Sequence, residues 1–259
     1  MRHAPTTASN VNASAPPRTE AELRRELAAC YRIFDHLGWV ELIYNHITVK
    51  VPGPERHFLI NPFGLMYSEV TASNLVKIDL QGRIVGASPY PVNPAGFVAH
   101  SAIHEAKPEA LCIMHTHTTA GMAIACKKSG LTATNFYSAM LQGQVAYHDF
   151  EGITVNPDEK PRLVASLGDK RQLILRNHGL LTWGETIPEA FVRLWILNRA
   201  CEIQLASGSI AGEDISIPPE VCAQSAREAL HFKEDYGGGR DVFDALCRII
   251  DVKDPSYRT

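Results

Sequence analysis

Leu111-Cys112-Ile113-Met114-His115-Thr116-His117-Thr118 is the stretch that decides how this chain is read. Four apolar residues run directly into two histidines one residue apart. The apolar run predicts a buried strand. Side chains two apart on a strand point to the same side. His115 and His117 would then project together from the strand end, as two ligands on one metal ion need. A second stretch, Leu173 to Gly184, places Asn177-His178-Gly179 between two apolar runs, which predicts a turn joining two strands. Three imidazoles and no cysteine make an open zinc site of the catalytic type, with a coordination position left for substrate or water. The plain alternative is three hydrogen-bonded histidines that never meet, since spacing alone does not bring the two stretches together.

Size and composition narrow the classes. A chain of 259 residues, 45% hydrophobic, makes one large domain or two small ones. A net charge of −3 argues against a nucleic-acid surface and against a polybasic membrane patch. The six cysteines show no C-x-x-C pair, and most lie inside apolar runs, the pattern of reduced thiols in a cytoplasmic protein. Asn12-Ala13-Ser14 matches a glycosylation sequon, but no secretory signal is read before it. The most apolar long segment, Phe191 to Ala206, carries Arg193, Arg199 and Glu202, so no membrane span is expected.

Residues 1–18, rich in Ala, Ser, Thr, Asn and Pro, read as a flexible tail. Thr19 and Glu22 form a capping box for a helix with Leu23, Leu27, Tyr31 and Phe34 on one face, ended near Gly38. Strands are expected after Tyr44 to His46, at His57 to Ile60, and at Val145 to His148; a hairpin is expected across Gln81-Gly82. Helices are expected over Ala95 to Ala106, Thr119 to Lys127, Arg162 to Leu167, Pro188 to Leu205, Val221 to Lys233 and Asp241 to Ile250. Gly237-Gly238-Gly239 lies in a loose linker and lacks the context of a phosphate-binding loop. The alternation of strands and helices places the fold in the α/β or α+β class.

Five segments in this order resemble the class II aldolase/adducin family: Asn45-His46-Ile47-Thr48, Asn61-Pro62-Phe63-Gly64, Asn93-Pro94-Ala95-Gly96, His115-Thr116-His117 and Asn177-His178-Gly179. The resemblance covers roughly residues 20–206. It implies a three-layer α/β/α sandwich around a central, largely antiparallel sheet. It implies Zn2+, or another divalent ion such as Mn2+, held by His115, His117 and His178. It also implies a homo-oligomer, commonly a tetramer, with sites near subunit interfaces. The domain plan is then a tail over 1–18, a metal-binding domain over 19–208 and a C-terminal helical extension over 209–259 packed on that domain.

The departures from the family pattern bear on chemistry. The position of the usual acid/base carboxylate falls at Gly96, which has no proton to give. The paired serines before it fall at Pro94-Ala95, and the threonine of a Thr-Gly turn falls at Phe63. Phosphate recognition needs convergent donors, and three are missing. The expectation is therefore a metal-dependent lyase, of aldolase or decarboxylase type, acting on a small non-phosphorylated hydroxy- or oxo-acid through a metal-stabilised enolate. The alternative is a non-catalytic, adducin-like binding or scaffold protein with a retained metal site. His100, one helical turn after Gly96, is the candidate catalytic group, with a packing role as the alternative. His46, Asn61, Gly64 and Arg176 are the candidate substrate contacts; Arg176 alternates onto the same side as His178 and suits a carboxylate. His104 reads as structural, Glu105 as solvated, and Tyr147-His148-Asp149 as a surface loop.

Overall fold

The computed structural model describes residues 18–153, 156–229 and 238–259. The expected tail and sequon, except Arg18, lie outside those residues, as do Tyr236 and Gly237 of the glycine-rich linker. The described residues form a seven-stranded sheet from β1 His46–Lys50, β2 Phe58–Ile60, β3 Val76–Ile78, β4 Cys112–Thr116, β5 Val145–His148, β6 Gln172–Leu175 and β7 Gly179–Gly184. The order across the sheet is β3-β2-β1-β4-β7-β6-β5. The β5–β6 pair is parallel, and the other five pairs are antiparallel. The helices are α1 Glu20–His36, α2 Pro94–Ala106, α3 Thr119–Ala125, α4 Phe136–Met140, α5 Lys160–Leu167, α6 Ile187–Ser207, α7 Pro219–Glu228 and α8 Arg240–Lys253.

Two apolar layers make the sandwich. On one face α2 and α5 pack Ala99, Ile103, Leu163 and Leu167 against Ile113, Leu173, Leu181 and Trp183. On the other, α1, α3, α6 and α8 pack against Ile47, Val49, Met114, Ile174 and Leu180. The alternation is the period-2 rule at work: Ile113 and His115 face α2, while Cys112 and Met114 face α1 and α6. The helix α1 starts where the capping box is found, with the Thr19 N–H donating to the Glu22 carboxylate at 2.7 Å and the Glu22 N–H donating to Thr19 Oγ1 at 3.2 Å. Leu23, Leu27, Tyr31 and Phe34 are fully buried. Side chains of this kind each stabilise by roughly 1.5–3 kcal/mol on burial. Gly38, with φ of 71°, turns the chain out of the helix.

The C-terminal segment closes on the same core. Phe243 of α8 packs on Phe191 of α6 with ring centroids 5.8 Å apart. Arg32 of α1 pairs with Asp254 at 2.9 Å. Two expectations need adjustment, and one helix had no signal. The hairpin across Gln81-Gly82 forms, but its second arm pairs only through the Ile78–Ile84 bridge, with the Asp79 N–H donating to the Arg83 carbonyl at 2.9 Å and the Val85 N–H to the Lys77 carbonyl at 2.8 Å. The helix expected from Val221 runs Pro219–Glu228, and residues 230–233 lie outside the described residues. The five-residue α4 is too short to show a period; it is set by Asn135, whose Oδ1 accepts from the Tyr137 and Ser138 N–H groups at 3.1 and 2.9 Å.

Candidate metal centre

The strand β4 delivers His115 and, one step past its end, His117. The β6–β7 turn delivers His178. These three offer ligand atoms that all lie within 4.8 Å of one another. His115 Nε2 and His117 Nε2 are 2.8 Å apart. Two Zn–N bonds of about 2.0–2.1 Å at a tetrahedral angle separate their nitrogens by about 3.3 Å, a value inside that spread. The tautomer of His115 is settled by its surroundings. Its Nδ1–H donates to the Leu180 carbonyl at 2.9 Å, which leaves the Nε2 lone pair directed at the cluster. All three imidazoles are held neutral. Burial, and then the neighbouring His178 and His117, push His115 well below its ordinary pKa. Burial lowers His117, against the opposing pull of Glu41. Burial, then His117, lowers His178 to about 4. Neutral rings with free lone pairs are what metal ligation requires, so the donor set fits a divalent ion.

The turn sequence is explained by its geometry. Asn177 sits at φ 57°, a left-handed conformation that asparagine tolerates better than most residues. Its N–H donates to the Ala125 carbonyl at 3.1 Å. Gly179 has no room for a side chain: a Cβ there would stand 2.4 Å from the Thr116 carbonyl oxygen and 3.1 Å from His117 Cδ2. Asparagine makes the turn, histidine points inward, and glycine lets the turn close onto the β4 pair. Asn45 supports the same arrangement from the other side, its Oδ1 accepting from the His117 N–H at 3.2 Å while its Nδ2 donates to the Trp39 carbonyl at 3.1 Å.

The cluster opens on a cavity of about 390 Å³. Its wall includes His46, Glu41, Tyr44, Asn93, Asn177 and Gly96, with Met122, Phe150, Ile153, Leu175 and Leu181 as the apolar part. Among the described lining residues there is no lysine or arginine. His46 lies opposite His115 in the β1–β4 pair. Its ring takes up the space beside Gly96, where an added Cβ would lie 2.3 Å from His46 Cδ2. Burial, then His117 and His178, lower the His46 pKa to about 3.

The other expected site residues are not brought to the cavity. His100 is fully buried behind His46, with Nδ1 2.8 Å from Thr48 Oγ1, and it does not line the wall. The helix α2 turns that face into the sheet, which leaves His100 behind the wall. Asn61 is buried, and its Oδ1 lies 3.1 Å from the Tyr31 hydroxyl that ties α1 to β1. Gly64 is exposed on a turn at φ 101°, away from the wall. Arg176 departs from the strand alternation expected of it because β6 ends at Leu175. Its guanidinium lies over Tyr147 at 4.6 Å and donates to the Lys127 carbonyl at 3.0 Å. His148, expected on a surface loop, is buried, with Nδ1 2.9 Å from Ser166 Oγ. Glu41, Tyr44 and Asn93 were missed. They sit on loops with no periodic signal; Asn93 was legible only as a helix cap, and Tyr44 only as the residue before Asn45-His46.

The model of the class II aldolase and adducin N-terminal domain matches residues 25–205. The chain belongs to the class II aldolase and adducin family. An aldolase II superfamily protein from Pseudomonas syringae, of known crystal structure, is 42% identical, superposes with a TM-score of 0.86, and is matched over 97% of this chain and 100% of its own. An L-fuculose 1-phosphate aldolase from Glaciozyma antarctica is 32% identical with a TM-score of 0.81, over 99% of this chain and 97% of its own. Rat alpha-adducin is 46% identical over 93% of this chain, which spans 34% of the adducin. The sandwich seen here is that family's fold. Class II aldolases are divalent-metal dependent, and a cluster of three histidines is present here.

Proposed function

We propose that this chain is a divalent-metal-dependent lyase of the class II aldolase type, acting on a small, non-phosphorylated hydroxy- or oxo-acid. The carrying observation is the convergence of His115, His117 and His178 at the mouth of a cavity of about 390 Å³. In this reading those three residues hold the ion, with zinc or manganese as candidates. When bound, a divalent ion supplies Lewis-acid polarisation of a carbonyl and stabilises the negative charge that develops as a C–C or C–H bond breaks. The chain's own groups do the rest. Met122, Phe150, Ile153 and Leu181 give the cavity an apolar wall for the carbon skeleton of the substrate. Glu41 is the lining carboxylate and Tyr44 the lining phenol, and both are exposed enough to exchange a proton with solvent. The lack of a lysine or arginine among the described lining residues favours an acid over a phosphate ester, because a phosphate dianion needs cationic partners.

We place the helices of residues 209–259 with the metal-binding domain as a clasp on its core, and we take the assembly to be a homo-oligomer, a tetramer in the simplest case. No helix among the described residues is long and apolar enough to cross a membrane.

The test is metal removal and reconstitution, followed by a panel of hydroxy and oxo acids with L-fuculose 1-phosphate included. Metal-dependent turnover of an acid supports the reading. Turnover of the phosphate ester alone would replace it with the activity for which the Glaciozyma protein is named. A second reading, a non-catalytic adducin-like module, is favoured by Gly96, which puts no carboxylate beside His46. Metal-loaded protein inert across the panel, yet isolated with a stable protein partner, would support that reading.

A further inference from the structure

A chain of buried side chains runs from the back of α2 to His46, and its protons can be placed one by one. His104 Nδ1 is 3.0 Å from the Ala110 carbonyl. A carbonyl only accepts, so His104 Nδ1 carries the proton. His104 is neutral, since burial lowers its pKa to about 3. A neutral imidazole has one donor and one acceptor, so His104 Nε2 accepts. It accepts from Thr48 Oγ1 at 2.8 Å. The threonine has a single proton and has spent it there. At its other contact, 2.8 Å to His100 Nδ1, the oxygen must accept, and His100 Nδ1 must carry the proton. His100 is also neutral, held there by burial. Its Nε2 is therefore a bare acceptor, and it is buried without a partner.

One nearby group can supply the missing donor. The His46 ring lies edge to face against His100 with centroids 4.4 Å apart, and His46 Nδ1 is likewise buried without a partner. Among the described residues, the remaining buried unpartnered side-chain atoms lie elsewhere: the Tyr67 hydroxyl beside Tyr31, Thr116 Oγ1 on the opposite face of β4, and His148 Nε2 beside Glu159. Two orphaned ring nitrogens on neighbouring rings, one required to accept, complement each other as donor and acceptor. Leaving both unpaired is costly, because buried polar groups without partners carry the full desolvation penalty.

We propose that the His104–Thr48–His100 chain fixes His46 as its Nδ1–H tautomer, so that His46 presents a bare Nε2 acceptor to the cavity and selects substrates carrying a hydroxyl. Resting on the metal-site reading above, this narrows the substrate class from hydroxy- or oxo-acids to hydroxy acids. An Nε2 lone pair beside the histidine cluster accepts from an alcohol O–H. It meets a ketone oxygen lone pair to lone pair. Thr48, His100 and His104 are positioning residues in this scheme, and only His46 meets the ligand.

The test begins with protein labelled with 15N in histidine, its His46 signals assigned from the H46Q variant. Long-range 1H–15N correlation distinguishes a protonated ring nitrogen from a bare one. His46 is expected to show Nδ1 protonated and Nε2 bare. Thr48→Val removes the hydroxyl that orders the chain and frees the His46 tautomer, while Thr48→Ser restores it. In zinc-loaded protein, lactate is expected to bind about tenfold more tightly than pyruvate, the scale of one hydrogen bond between neutral groups. Thr48→Val is expected to erase that preference. His46 protonated at Nε2 in the wild-type protein overturns the proposal, and that result needs no variant to fold. Equal affinities for the two acids overturn the hydroxyl assignment. Failure to bind zinc at all would instead remove the metal-site reading and leave the tautomer result standing, so the two failures are distinguishable.

Discussion

Gly179→Ala tests the link between turn geometry and metal binding. The added Cβ would stand 2.4 Å from the Thr116 carbonyl oxygen, 3.1 Å from His117 Cδ2 and 3.2 Å from His115 Cε1. The nearest of these is backbone and cannot rotate away. Carbon–oxygen contacts settle at about 3.3–3.6 Å, so the start of β7 must move by about 1 Å. Overpacking of this kind costs about 1–3 kcal/mol of stability. The same movement carries His178 away from His115 and His117. Misplacing one ligand should weaken the metal by about 10–100-fold, the range for losing a group that orients a ligand. The first quantity is read from urea unfolding in chelator, the second from a zinc titration against a competing chelator. A variant that loses stability but binds zinc as well as the wild type would refute the claim that close approach at Gly179 assembles the site. A variant unchanged in both would refute the packing argument as well.

Other outcomes follow from the same structure. Arg176→Ala should leave hydroxy-acid affinity unchanged within twofold, because its guanidinium is spent on Tyr147 and the Lys127 carbonyl. It should lower stability by about 0.5–1 kcal/mol, the scale of an exposed cation–π contact; a large loss of affinity would return Arg176 to the site. Metal-free protein should lose stability as pH falls below about 6.5. His104 takes a proton at 6.5 when unfolded but only near 3 when folded, so the unfolded state binds more protons throughout that window. The penalty is absent above the window and grows by about 1.4 kcal/mol per pH unit for each such histidine. Urea melts at pH 7, 6 and 5 check this, and a flat or rising stability on acidification would contradict it.

Much of the fold was legible because its signals are local. The Thr19–Glu22 capping box, the apolar face of α1, the β5 bounds and the proline at the start of α6 each rest on a few neighbouring residues. The pairing of His115 with His117 was legible in their i, i+2 spacing on a strand, while the convergence of His178 with them rested on the family resemblance, since spacing alone does not join the two stretches. What failed was direction across the fold. Spacing put His100 one helical turn from Gly96, but not which way α2 is rolled. That roll is set by Ile103 and Ala102 packing under the sheet, and it buries His100 behind His46. Arg176 fails for a similar reason, because strand alternation stops where β6 stops. Glu41 and Tyr44 reach the cavity by loop paths that no periodicity encodes. Counting back to Gly96 found the missing carboxylate; it did not reveal that His46 had taken the space.

The central claim is that His115, His117 and His178 hold one divalent ion. It is tested most directly by X-ray absorption of protein reconstituted with one equivalent of zinc, beside the His115→Ala, His117→Ala and His178→Ala variants. The account predicts near-stoichiometric zinc with three imidazole nitrogens at about 2.0–2.1 Å, and loss of that signature in each variant. Zinc that binds with a different ligand set, or that survives all three substitutions, would contradict it.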